Sequence, residues 1–88
     1  MIEVAFSSSF KRAFKAISKN KTLEKKFWVK LEIFINDPFD NSLRTHKLSG
    51  KLKDLWSYTI DYDLRIIFYF ADKTHVVFID IGTHNEVY

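Results

Sequence analysis

The chain has no cysteine, one proline and two glycines in 88 residues. Without cysteine there is neither a disulfide framework nor a thiolate metal site, so burial alone must hold the fold. So little proline and glycine argues against a disordered chain. No apolar run approaches the roughly 18 residues that span a bilayer, and the first residues lack the basic-then-apolar pattern of a secretory signal. No Gly-rich phosphate loop and no G-x-S-x-G nucleophile occur. His46, His75 and His84 lack the spacing of a helical H-x3-H pair, so no metal or other cofactor is expected. These absences predict one domain over residues 1–88, cytoplasmic, with no membrane partner.

Aromatic side chains are abundant. Nine Phe, four Tyr and two Trp supply large burial per residue, which helps a small domain offset its chain entropy. The net charge of +3 is a modest basic bias that permits nucleic-acid binding without demanding it. Its distribution is uneven. Lys11, Arg12, Lys15, Lys19, Lys21, Lys25, Lys26 and Lys30 face Glu24 alone within residues 11–30, and Arg44, Lys47, Lys51 and Lys53 follow. Solvated helix faces are one account of such runs; attraction to RNA phosphates or to an acidic partner is its rival.

Ile2, Val4 and Phe6 alternate with polar or small residues and predict a strand over 2–6. Ser7, Ser8 and Ser9 can cap the helix that follows, whose stripe is Phe10, Ala13, Phe14 and Ile17. Asn20-Lys21 breaks the pattern and Thr22 can cap a second helix, with Leu23, Phe27, Leu31, Phe34 and Ile35 as its stripe and Trp28 beside it. Asp37-Pro38 ends it, because the residue before proline avoids helical geometry. Asn36–Leu43 reads as the only real loop. Three strand-like runs follow, 56–61, 64–70 and 75–81, the first two joined by Tyr62-Asp63. Leu64, Ile66, Phe68 and Phe70 share one face and Arg65, Ile67 and Tyr69 the other. In the last run His75, Val77, Ile79 and Ile81 alternate with Val76, Phe78 and Asp80. The expected architecture is α+β: a strand, a two-helix hairpin, then a three- to four-stranded, mainly antiparallel sheet packed on the helices.

Certain segments carry a resemblance. His46-Lys47-Leu48-Ser49-Gly50 is similar to an H-P-L-x-G segment, with Lys47 in the proline's place. Arg65-Ile66-Ile67-Phe68-Tyr69 opens a strand with arginine. Gly82-Thr83-His84 and Glu86-Val87-Tyr88 follow the last strand. Together these resemble the RelE/ParE superfamily of bacterial toxins, most closely its YafQ-like mRNA-cleaving members, over nearly the whole chain. The resemblance implies the RelE-like fold and the toxin role of a type II toxin–antitoxin pair. It implies an mRNA endoribonuclease acting at the ribosome by attack of a ribose 2′-OH on the adjacent phosphate. It also implies a neutralising antitoxin, with operator DNA reached only through that antitoxin. A ParE-like gyrase inhibitor and an inactive interaction module share the fold and stay open as alternatives.

Cleavage by 2′-OH attack needs a group to take the hydroxyl proton, a group to protonate the leaving oxygen, and donors for the phosphorane oxygens. The resemblance assigns these roles to His84, His46, Asp63, Arg65 and Tyr88. His84 and His46 can titrate near neutrality. Asp63 can orient or charge a histidine, and Arg65 can bind phosphate through two parallel N–H groups. Tyr88 can stack on a base. Lys47, Lys51, Lys53 and Arg65 are the expected RNA contacts. Thr59 stands where the pattern has a further histidine and Leu64 where it has tryptophan, which leaves fewer proton-transfer groups.

Overall fold

The computed structural model describes residues 1–52, 54–83 and 87. Strand β1 (Glu3–Phe6) leads into helix α1 (Ser8–Ser18) and helix α2 (Lys21–Asn36), and β2 (His46–Lys47), β3 (Trp56–Thr59), β4 (Leu64–Phe70) and β5 (His75–Thr83) follow. The five strands form one sheet in the order β1-β5-β4-β3-β2. All neighbours pair antiparallel except β1, which lies parallel to β5 with Glu3 opposite His75 and Phe6 opposite Phe78. The expected RelE-like α+β order is borne out, with four strands after the helices.

Each helix starts where a side chain satisfies its first free N–H groups. Ser7 Oγ accepts from Phe10 N at 3.1 Å. Asn20, rather than the expected Thr22, caps α2: its Oδ1 accepts from Thr22 N at 3.1 Å and from Leu23 N at 3.2 Å. Both residue types can cap, and the extended backbone at Asn20 decides the choice. Asp37 closes α2 just before Pro38, as expected. The connection after α2 carries a 3-10 turn at Asn41–Leu43, and a second irregular stretch with another at Gly50–Leu52 separates β2 from β3. The described residues therefore include two such connections where one was expected.

Phe10, Phe27 and Phe34 of the helices are buried against Tyr58, Ile66, Phe68 and Phe78 of the sheet. Leu64, Ile66 and Phe68, which share a face by alternation, all turn to the helices; the alternation expected of β5 does not hold. Val76, Phe78 and Ile81 enter the core, whereas alternation would put Val76 and Phe78 on one face and Ile81 on the other. The cause is a bulge. Phe68 pairs with Phe78 but Ile67 with Asp80, so Ile79 is an extra residue that switches the faces. The Ser9 hydroxyl of α1 donates to the Ile79 carbonyl at 2.7 Å.

The outer edge of the sheet carries one ionic cluster. His75 Nε2 meets the Glu3 carboxylate and His75 Nδ1 lies 2.9 Å from Asp72 Oδ1. Asp72, mainly through its hydrogen bond, raises the His75 pKa, and Glu3 adds to the rise. The Thr74 backbone N–H, followed by His75, holds Asp72 down at about 2. A raised histidine stabilises the fold below its ordinary pKa of 6.5, and that contribution disappears as pH rises through the folded-state value. The depressed Asp72 contributes above 3.8 and loses its effect as pH falls through about 2. Urea midpoints of wild type and His75→Gln should therefore differ most between about pH 4 and 6.5 and converge at alkaline pH. The gap is small, because the groups are exposed. A gap independent of pH would mean that the charges contribute nothing.

Candidate nucleic-acid interface

In β3 and β4, Thr59 pairs with Arg65 and Ser57 with Ile67. Since side chains alternate, these four face away from the helices while Tyr58 and Ile66 enter the core. β5 adds Gly82 opposite Arg65 and Asp80 opposite Ile67, and β2 adds His46 opposite Ser57. The face away from the helices thus carries the rows His46–Ser57–Ile67–Asp80 and Thr59–Arg65–Gly82. Tyr69 shares the face but sits opposite Val77, four positions from Arg65 and about 13 Å along the strand. Ser57 and Ile67 are buried, so the middle of this face is more covered than a half-solvated sheet would be.

Where β3 turns into β4 the sheet opens into a cleft of about 700 Å³. It is lined by Thr59 to Asp63 and Arg65, by Lys30 of α2, and by Ser42 and Arg44 of the following connection. Lys30 Nζ donates to the Ser42 carbonyl at 3.2 Å and ties the helix to the connection. Asp40 Oδ1 accepts from the Ser42 hydroxyl at 2.7 Å and from its N–H at 2.9 Å, and these bonds lower the Asp40 pKa. Arg44 has a left-handed backbone, φ 53°, which costs a non-glycine residue about 1–2 kcal/mol. That geometry turns the chain toward β2 and points the Arg44 carbonyl at His46. His46 Nδ1 lies 3.0 Å from this oxygen. A carbonyl only accepts, so Nδ1 carries the proton and Nε2 is left for other partners.

The cleft holds three cations, Lys30, Arg44 and Arg65, and two carboxylates, Asp61 and Asp63. Lys26 Nζ pairs with Asp61 Oδ1 at 3.2 Å. The Tyr62 backbone N–H, then Lys26, lowers the Asp61 pKa. With Asp61 matched by Lys26, the cations prevail. Of the residues singled out in the sequence, Asp63 and Arg65 both line this cleft. His46 is tethered to its wall and lines, with Lys47, an adjoining depression of about 310 Å³. Lys51 is exposed on the nearby 3-10 turn. Lys53, His84 and Tyr88 lie outside the described residues. Lys30 and Arg44 were visible only as members of basic runs, and Tyr62 only as a linker. Among the described residues no group of three metal-ligating side chains converges, and no helix is long and apolar enough to cross a membrane.

The family model of the bacterial YafQ toxin of type II toxin–antitoxin systems matches residues 2–88. The chain belongs to that family. YafQ of E. coli has the same fold, with a TM-score of 0.82 at 18% identity over 100% of this chain and 99% of that one. The E. coli DinJ–YafQ toxin–antitoxin complex gives 0.80 at 18%, over 99% and 97% of the two chains. A metal-bound toxin from Helicobacter pylori gives 0.81 at 21%, over 100% of each. At these identities the likeness is one of fold. No curated protein sequence matches the chain. In this YafQ-family toxin, then, a cationic cleft lies at the hairpin end of the sheet, and His46 is hydrogen-bonded to the Arg44 carbonyl with one fixed tautomer.

Proposed function

We propose that this toxin is an endoribonuclease that cuts mRNA on the ribosome, using the ribose 2′-OH as nucleophile and requiring no metal. The observation that carries the reading is an open cleft lined by both Asp63 and Arg65, with His46 hydrogen-bonded to the carbonyl of Arg44, which also lines it. Because the nucleophile belongs to the substrate, the protein has only to move protons and stabilise charge. Arg65 is the donor for the phosphorane oxygens. His84, by the family resemblance, is the principal proton-transfer group, and His46, with Nε2 available, is the second. Asp63 orients or charges a histidine, and Tyr88 offers a ring to a base. Lys47, Lys51 and Lys53 attract the RNA backbone, with slopes of binding against salt expected accordingly. The DinJ–YafQ complex supports a protein antitoxin as the physiological partner, through which operator DNA would be reached.

Primer extension on mRNA after induced expression tests the activity. Discrete cuts within translated codons support it; intact mRNA with blocked DNA relaxation would move the reading to gyrase inhibition. Within the nuclease reading, Arg65→Ala should lower turnover of bound mRNA by about 10²–10³, the effect of losing one oxyanion donor. A folded Arg65→Ala variant that cuts at the wild-type rate would assign this arginine to the sheet's own structure.

A further inference from the structure

The β3–β4 turn carries Tyr62, whose side chain is 95% exposed while it lines the cleft. A ring that exposed adds almost nothing to the core. Nor does the turn need it, since Asp61 and Asp63 already supply the residue type that turns favour. Its backbone is nevertheless held firmly. The neighbouring Asp61 carboxylate pairs with Lys26 Nζ of α2 at 3.2 Å. Ile60 N and Asp61 N both donate to the Leu64 carbonyl, at 2.8 and 3.4 Å. The ring is thus presented to solvent from a braced support. Two further cations, Lys30 and Arg44, line the same cleft. Lys30 spends one of its three donors on the Ser42 carbonyl. Arg44 has a left-handed backbone and an exposed side chain.

We infer that Lys30, Arg44 and Tyr62 form a nucleotide subsite next to the cleavage centre: the two cations hold a phosphate of single-stranded RNA and the Tyr62 ring stacks on its base. This rests on the nuclease reading and extends it, because it assigns to the cleft a nucleotide other than the one whose bond is cut at Arg65. The chemistry suits an unpaired strand. An aromatic face accepts any base, and a charged wall follows the backbone. A paired base would keep its face in its own stack and leave the ring unused. The subsite is therefore a tightening device for single-stranded RNA, and it contributes to binding more than to bond breaking.

The probe is a short single-stranded 2′-O-methyl oligoribonucleotide, which lacks the nucleophile and cannot be cut. Its affinity is read by fluorescence anisotropy over a series of salt concentrations. Tyr62→Ala should weaken binding by about 5- to 150-fold, the range for losing one stacked base, while Tyr62→Phe and Tyr62→Trp keep it. Lys30→Gln and Arg44→Asn should each lower the slope of log affinity against log salt by about 0.7. Asparagine is chosen because it tolerates the left-handed backbone. On cleavable RNA, Tyr62→Ala should raise KM and leave kcat near wild type, which separates it from Arg65. Wild-type affinity in Tyr62→Ala and unchanged slopes in the other two, with wild type still cutting, would overturn the subsite and leave the nuclease standing. A wild-type protein that neither binds the oligonucleotide nor cuts mRNA would overturn both.

Discussion

Phe78→Ala should destabilise the domain by about 3–5 kcal/mol, the usual cost of removing a core phenylalanine. Its ring is fully buried and stands within 6.1 Å, centre to centre, of those of Phe6, Phe10, Phe34, Tyr58 and Phe68. Those five rings come from β1, α1, α2, β3 and β4, so one side chain touches five of the other elements. Deleting it leaves a cavity that no single neighbour can fill without disturbing the others. A small domain has about 5–15 kcal/mol in total, so the variant sits near the edge of folding. Urea denaturation should show a much lower midpoint with an unchanged slope. Phe39→Ala is the contrast: Phe39 stacks on Phe70 and edges Trp56, but 54% of it is exposed, and its loss should be mild. Equal midpoints for Phe78→Ala and Phe39→Ala would refute the five-way packing.

The largest expected effect on activity belongs to His84. It lies outside the described residues, just beyond β5, and its role rests on the resemblance of Gly82-Thr83-His84 together with the chemistry that 2′-OH attack requires. Glutamine keeps the size and hydrogen bonding of histidine but cannot titrate. His84→Gln should fold and bind the antitoxin as wild type does, and should lose about 10²–10⁴ in cleavage, the worth of general acid–base catalysis. Growth arrest should be relieved in parallel. Single-turnover cleavage on programmed ribosomes is the measurement. The wild-type profile should show an ionisation between about pH 5 and 8 that the variant lacks. Full cleavage by His84→Gln would shift proton transfer to His46 and Tyr88.

Local patterns account for what could be read directly from the sequence. The stripes Phe10–Ile17 and Leu23–Ile35 identify both helices, because burial on one side must repeat with the helical period. Pro38 marks the end of α2. Alternation assigns β4 correctly, since its pairing with β3 is unbroken. It fails in β5 because a bulge is a property of two strands together, and nothing in Val77-Phe78-Ile79-Asp80 announces that Ile79 will lose its partner. β2 spans two residues, too few for any period. The site divides in the same way. Asp63 and Arg65 are neighbours in a hairpin and were legible as such. Lys30 and Arg44 reach the same cleft only because α2 lies over the turn and because Arg44 takes a left-handed bend.

The parallel pairing of β1 with β5 has a consequence for how the chain comes into being. The first strand waits for a partner that lies almost the whole described length away. At about 5–20 residues per second of synthesis, α1 and α2 exist for seconds before β5 does. Through that interval their aromatic stripes have no complete sheet to cover them, and β1 has no ladder to join. Such long-range closure belongs to the slower class of small domains, folding in milliseconds to seconds. It also makes assembly all-or-none: the hairpin that bears Arg65 becomes part of a finished sheet only when the last strand arrives. The nascent toxin therefore acquires its shape only once β5 has been made.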